Sequence, residues 1–94
     1  MQINEREIVL LELAHEFLDF ENYERALDAL AKDDLRSVEC NILINIDELF
    51  VSEDIDFETA KLAYERLNLD PEQASQFRQK YFLEVSFFEE ITLN

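Results

Sequence analysis

Residues 4–30 read NEREIVLLELAHEFLDFENYERALDAL, and the fold is decided in this stretch. Asn4 with Glu7 three positions on is a variant of the capping box, in which a side-chain oxygen satisfies an amide that the first helical turn leaves unpaired. Leu10, Leu13, Ala14 and Phe17 then recur at helical spacing, and Ile8, Leu11 and Leu18 widen the apolar stripe. Asn22 is a second cap candidate, followed by Tyr23, Ala26, Leu27 and Leu30. Two helices joined by a short turn are predicted.

The same grammar continues outward. Asp33-Asp34 interrupts the second run and can cap a third helix carrying Leu35, Val38, Ile42, Ile46 and Leu49. Asp56 opens a fourth, with Phe57, Ala60, Ala63, Tyr64 and Leu67. Asp70-Pro71-Glu72-Gln73 is the cleanest start signal: a cap, proline at the first helical position and glutamine at the third. The fifth helix shows Ala74, Phe77, Tyr81, Val85 and Phe88. From Tyr81 to Phe88 aromatic and β-favouring residues crowd together, so helix, short strand and exposed tail all stay open over residues 82–93. The expected fold is all-α with about five short helices. It is either a helical bundle or a pair of helical hairpins plus a C-terminal capping helix.

Ninety-four residues make one domain, 1–94, too short for two cores of ordinary size. Apolar residues make up 48%, too many for a disordered acidic tail. Roughly six or seven glycines would be usual at this length, and there are none. Phosphate-cradling loops and nucleophile elbows depend on glycine's backbone freedom, so nucleotide folds built on them are excluded. An all-helical chain can instead turn on Asn and Asp. No apolar run approaches the roughly 20 residues of a membrane span, and no basic-then-apolar signal opens the chain. One cysteine forms no internal disulfide, so a cytoplasmic protein is expected.

Helices two and four repeat each other. Asn22, Tyr23, Glu24, Ala26, Ala29, Leu30 and Lys32 align with Asp56, Phe57, Glu58, Ala60, Ala63, Tyr64 and Arg66 at a constant offset of 34 residues. That is the period of the tetratricopeptide repeat. The first hairpin resembles that family in more detail, through Leu10, Leu13, Ala14, Phe17, Tyr23, Ala26 and Leu30. Ala14 and Ala26 supply the small contacts that let two helix backbones approach. The second copy departs: Asp47 or Glu48 falls where the small residue belongs, and Pro71 comes one residue early. The resemblance implies two tetratricopeptide-like hairpins and a capping helix over about residues 7–92. Alanine and aromatics at helical spacing also suit any helical bundle.

Catalytic candidates are thin. His15, the only histidine, lies between Leu11 and Leu18 with no nucleophile or orienting partner implied, and is read as a packing or contact residue. Cys40 has Arg36 as its closest upstream cation, too far to argue for an activated thiol. Asp54, Asp56, Glu58 and Glu65 fall in an EF-hand-like register, but Thr59 stands where the sharp turn needs glycine. No metal or cofactor is expected, and an enzyme is not.

Charge carries the stronger signal. Twenty-three acidic and 8 basic side chains give −15, divided as −6 over residues 1–33, −6 over 34–69 and −3 over 70–94. A polyanion does not bind nucleic acid or an anionic membrane by releasing counterions. Glu5, Glu12, Glu16 and Asp19 fall on one helical face, and Glu21, Glu24 and Asp28 on another. Like charges so spaced cost a few tenths of a kcal/mol per pair, so folding alone does not favour them. A solubilising surface is the bland explanation. The functional one is a surface made to meet a basic partner. Carboxylates a turn apart stand roughly 6 Å from each other, comparable to phosphates along a strand. In size, acidity and lack of catalytic motifs the chain is similar to nucleic-acid-mimic inhibitors such as phage anti-CRISPR and anti-restriction proteins.

Two expectations follow. As an inhibitor, the chain would occupy a basic nucleic-acid-binding surface of a partner protein through Glu12, Glu16, Asp19, Glu21, Glu24 and Asp28, joined by Glu53, Asp54, Asp56 and Glu58. Alternatively, a small tetratricopeptide-like chaperone or adaptor, resembling the needle-subunit chaperones of type III secretion, would hold an apolar helix along Ile8, Leu11, His15 and Leu18. Phe82, Phe87 and Phe88 would be further exposed candidates. Lysines and asparagines able to clamp a carboxylate are absent from those groove positions, which leaves an apolar ligand.

Overall fold

The computed structural model describes residues 4–82 with their side chains and carries the backbone of the last helix on to Leu93. Five helices follow in order: α1 (Glu5–Phe17), α2 (Phe20–Ala31), α3 (Leu35–Val51), α4 (Phe57–Leu67) and α5 (Pro71–Leu93). No strand occurs among the described residues, so the chain is all-α. Residues 82–93, which the sequence leaves open between helix, strand and tail, continue the helix. The side chains of Phe87 and Phe88 lie outside the described residues.

Local chemistry starts each helix. Asn4 accepts from the Glu7 amide at 2.8 Å, Asp34 from Ser37 at 3.3 Å and Asp56 from Thr59 at 2.8 Å. The carboxylate of Asp70 accepts from the Glu72 amide, and Pro71 stands at the first helical position. One expected cap is displaced. Asp19, not Asn22, caps α2, and Asn22 is the residue whose amide donates to it at 2.8 Å. The reason is that Leu18 is extended (ψ 144), which ends α1 at Phe17 and frees Asp19 for the capping role. Asp19 therefore does not share the α1 face with Glu5, Glu12 and Glu16.

Helix ends show how the chain manages without glycine. Asp33, Glu53 and Asn68 all have positive φ, at 59°, 62° and 49°. Past α2 the Asp34 amide reaches back to the Ala29 carbonyl, and past α3 the Asp54 amide reaches back to Leu49, each at 2.9 Å. These are Schellman closures with Asp33 and Glu53 in the position glycine usually holds. Asn and Asp tolerate this geometry; glutamate does so at a cost.

The core is α3 with the others wrapped around it. α3 packs against α1, α2, α4 and α5, and α1 also packs against α2 and α4. Val38, Ile42, Leu43 and Ile46 of α3 meet Leu10, Leu13 and Ala14 of α1, and Ala60, Ala63 and Leu67 of α4 complete the cluster. Ala26 of α2 joins them, and α5 contributes half-buried Ala74 and Phe77. The alanines at close contacts agree with the reading of Ala14 and Ala26 as spacing residues. Of the positions 34 residues apart, Ala26 and Ala60 are both interior, but Tyr23 packs on the core whereas Phe57 is exposed, and Asn22 lies inside α2 whereas Asp56 is a cap.

Asp47, the acid that breaks the small-residue pattern, fastens α4 and α5 to α3. Its carboxylate accepts from Arg78 Nε at 2.8 Å and Arg78 Nη2 at 2.9 Å, and from the Tyr64 hydroxyl. The Arg78 guanidinium also lies over the Tyr64 ring, 5.6 Å from its centroid. One turn on, the Tyr81 hydroxyl donates to Glu48.

Candidate partner-binding surface

Residues 7–24 and 37–60 contain no lysine or arginine. Hairpin geometry brings the connections within these stretches to one end of the bundle. Phe17 and Asp19 beside the α1–α2 turn share a hollow of about 350 Å³ with Glu48, Ser52 and Asp54. A second hollow, of about 580 Å³, joins Asp54 to Glu53, Asp56, Phe50, Val51 and Phe57. Asp54 belongs to both, so the surface is continuous. Within it, the acids predicted from α1–α2 and those predicted from the α3–α4 loop become neighbours.

The carboxylates here are held by local bonds. Asp19 and Asp56 cap α2 and α4, and Asp54 accepts from the Ser52 hydroxyl at 2.7 Å. The Thr59 hydrogen bonds keep the Asp56 carboxyl below the usual carboxylate range. Glu58 sits in the first turn of α4, where a carboxylate also favours the helix dipole. Asp19, Glu53, Asp54, Asp56 and Glu58 make no ion pair among the described residues. All five are exposed.

Apolar groups share this end. Val51 is 80% exposed and Phe57 63%, and the Phe50 and Phe57 rings tilt against each other with centroids 6.3 Å apart. Phe20, next to Asp19, is 76% exposed. Periodicity alone assigns Phe57 to the buried stripe of α4. The structure turns it outward at the start of α4, where it meets the exposed Phe50 ring at the end of α3, while Ala60 and Ala63 take the interior positions. Phe50 and Val51 likewise lie at the α3 C-terminus, past the last fully buried residue Ile46.

The other expected acidic contacts fall elsewhere. Arg66 of α4 reaches Glu12 at 2.7 Å and Glu16 at 3.0 Å, so these two acids bridge α1 to α4 and are not an open stripe. Glu21 pairs with Arg25 at 3.1 Å, and Asp28 with Lys32 at 2.9 Å, both one turn apart on α2. Glu24 is exposed on α2 and makes no ion pair among the described residues. Of the alternative groove, Ile8 and His15 are exposed and Leu11 is half-buried. Leu18 has left the helix and packs against the core, so the row loses its fourth member. The His15 ring meets the Tyr23 ring edge-on at 5.8 Å.

No group of three or more His, Cys, Asp or Glu among the described residues is arranged to hold a metal ion. No helix in that set is long and apolar enough to cross a membrane. Exposed aromatics in a field of carboxylates can seat a cationic, partly apolar surface: carboxylates steer and rings anchor. No protein-family model, curated protein or solved structure matches this chain.

Proposed function

We propose that this chain is a non-enzymatic acidic binding protein whose acidic end occupies a basic, nucleic-acid-binding surface of a partner protein. The inhibition is by occupancy, in the manner of a nucleic-acid mimic. The observation that carries this reading is the convergence of Asp19, Glu53, Asp54 and Asp56 around exposed Phe50, Val51 and Phe57, with Glu58 next to Phe57 in the first turn of α4 and Lys61 flanking the aromatic pair. Glu53 adds to it. A glutamate in the left-handed region is disfavoured by roughly 1–2 kcal/mol, so the carboxylate of Glu53 stands there at a cost in stability.

The test reverses acids that do not cap helices: Glu53→Lys, Asp54→Lys and Glu58→Lys together. Affinity capture with the natural chain is expected to retain a basic nucleic-acid-handling protein that elutes between roughly 0.2 and 1 M salt, because exposed charge pairs are screened. DNA or RNA should displace it, and the triple variant, folded by circular dichroism, should fail to retain it. Equal retention by the triple variant overturns the proposal. Capture of an apolar helical partner that resists high salt would favour the chaperone reading along Ile8, Leu11 and His15.

A further inference from the structure

The eight cations of this acidic chain are not spread evenly. Arg25, Arg36 and Lys80 line a single groove of about 740 Å³ between α2, α3 and α5. Only one carboxylate lines it, that of Glu48, and the Tyr81 hydroxyl donates to it. Arg36 and Lys80 make no ion pair among the described residues, while Arg25 holds Glu21 at 3.1 Å. Both unpaired cations also act weakly on Asp34, whose carboxyl is held low chiefly by Ser37.

Between the cations runs a ladder of amides. Asn45 Nδ2 donates to the Asn41 carbonyl at 2.7 Å and to Asn41 Oδ1 at 2.8 Å, and Asn41 Nδ2 donates to the Asn22 carbonyl at 3.3 Å. These bonds orient the side chains and leave Asn45 Oδ1 and the whole Asn22 side-chain amide without a hydrogen bond among the described residues. Amides present both a donor and an acceptor, which matches a peptide backbone. Ile44 and Phe77 supply an apolar floor. From Arg36 to Glu48 the groove follows α3 for about 18 Å at the helical rise, the length of about five or six extended residues.

We infer that this groove binds an extended acidic peptide segment, its carboxylates meeting Arg36, Lys80 and Arg25, its backbone meeting Asn22 and Asn45, and one apolar side chain resting on Ile44 and Phe77. A nucleic-acid strand is the poorer match, because it brings a charge at every residue to three cations on a molecule of −15. The groove adjoins the acidic end, sharing Asn45 and Glu48 with its hollow, but Arg25, Arg36 and Lys80 line only the groove and carry the opposite sign of charge, so variants of Arg36 and Lys80 test it apart from the acidic reading.

The test uses the full chain and a fluorescein-labelled peptide alternating Glu with Phe, followed by fluorescence anisotropy. The version with Gln for Glu should bind roughly tenfold more weakly, and so should Arg36→Glu with Lys80→Glu. Lys32→Glu with Lys61→Glu changes the net charge equally but away from the groove, and should bind as the natural chain does. The Glu53→Lys, Asp54→Lys, Glu58→Lys variant should bind at least as well. Equal affinity for the Gln peptide, equal loss in the Lys32/Lys61 control, or tighter binding of a short oligothymidylate each overturns the inference. Should the Arg36/Lys80 variant fail to fold, nuclear magnetic resonance of the natural chain decides. Side-chain amide signals of Asn22, Asn41 and Asn45 that shift with the Glu peptide support the site, and unmoved signals refute it.

Discussion

Replacing Asp47 with alanine tests whether one carboxylate holds the last two helices in place. The side chain is 25% exposed, so its removal strands no deeply buried charge, and the large penalty of a broken interior ion pair does not arise. What is lost is an Arg78 fork with near-ideal distances, worth about 0.5–1 kcal/mol at this exposure, and a Tyr64 hydroxyl bond to a carboxylate, worth about 1 kcal/mol. Alanine returns about 0.5 kcal/mol through its better helix propensity. The net loss is about 1–1.5 kcal/mol, which in a domain of this size lowers Tm by about 4–12 °C. Urea and thermal unfolding followed by circular dichroism measure it directly. Double-mutant cycles with Arg78→Ala and Tyr64→Phe should then give coupling to both partners. A cost below about 0.5 kcal/mol, or coupling indistinguishable from zero, would refute the assignment of Asp47 as the fastening between α3, α4 and α5.

Three further outcomes follow from the same geometry. Burial first, and the Asp47 hydrogen bond second, push the Tyr64 phenol up to about 12 from an ordinary value of 10.0. The protonated form is thus favoured by folding: its contribution is complete below about pH 10 and fades toward pH 12. After allowance for solvent screening the amplitude is about 1 kcal/mol, and alkaline unfolding of Tyr64→Phe should lack it. At the acid end the Ser37 and Thr59 hydrogen bonds hold Asp34 and Asp56 below the ordinary 3.8, so their stabilisation is present above that value and disappears as pH falls through their lowered values. Protonating the many other acids relieves repulsion, so the comparison must be with Asp34→Asn plus Asp56→Asn, which caps without titrating and should lose less helicity below about pH 4. Last, Glu53→Gly should raise stability by about 0.5–1 kcal/mol by relieving the left-handed glutamate, while weakening retention of the basic partner. A stability unchanged by that substitution would mean the position carries no strain.

Much of the architecture is written locally. Asn4, Asp34, Asp56 and Asp70-Pro71 mark helix starts because a cap acts over three residues, and the alternation of short helices and short turns follows from them. The one displaced start arose where Asp19 and Asn22, both good caps, lie three apart; the choice between them depended on where α1 stopped. The acidic end was partly legible as well, since the absence of lysine and arginine from residues 7–24 and 37–60 can be read directly. Antiparallel hairpins necessarily bring the two connections to the same side. The groove of amides and cations was not legible. Asn41 and Asn45 stand one turn apart on α3, but Asn22 and Lys80 come from two other helices, and the sequence carries no spacing that joins them to the pair.

By itself, then, the sequence determined an all-α chain, four of its five helix starts, a core built on apolar stripes with alanine at close contacts, and a large negative charge. These properties depend on composition or on neighbours within a helical turn. Only the tertiary structure decided which charges remain open. Arg66 pairs with both Glu12 and Glu16 from 50 or more residues away, Asp47 is bound to Arg78 and Tyr64, and Phe57 faces out against the exposed Phe50 ring. Pairing of side chains distant in sequence is set by how helices cross, and a one-dimensional pattern of charge and hydropathy does not contain that angle.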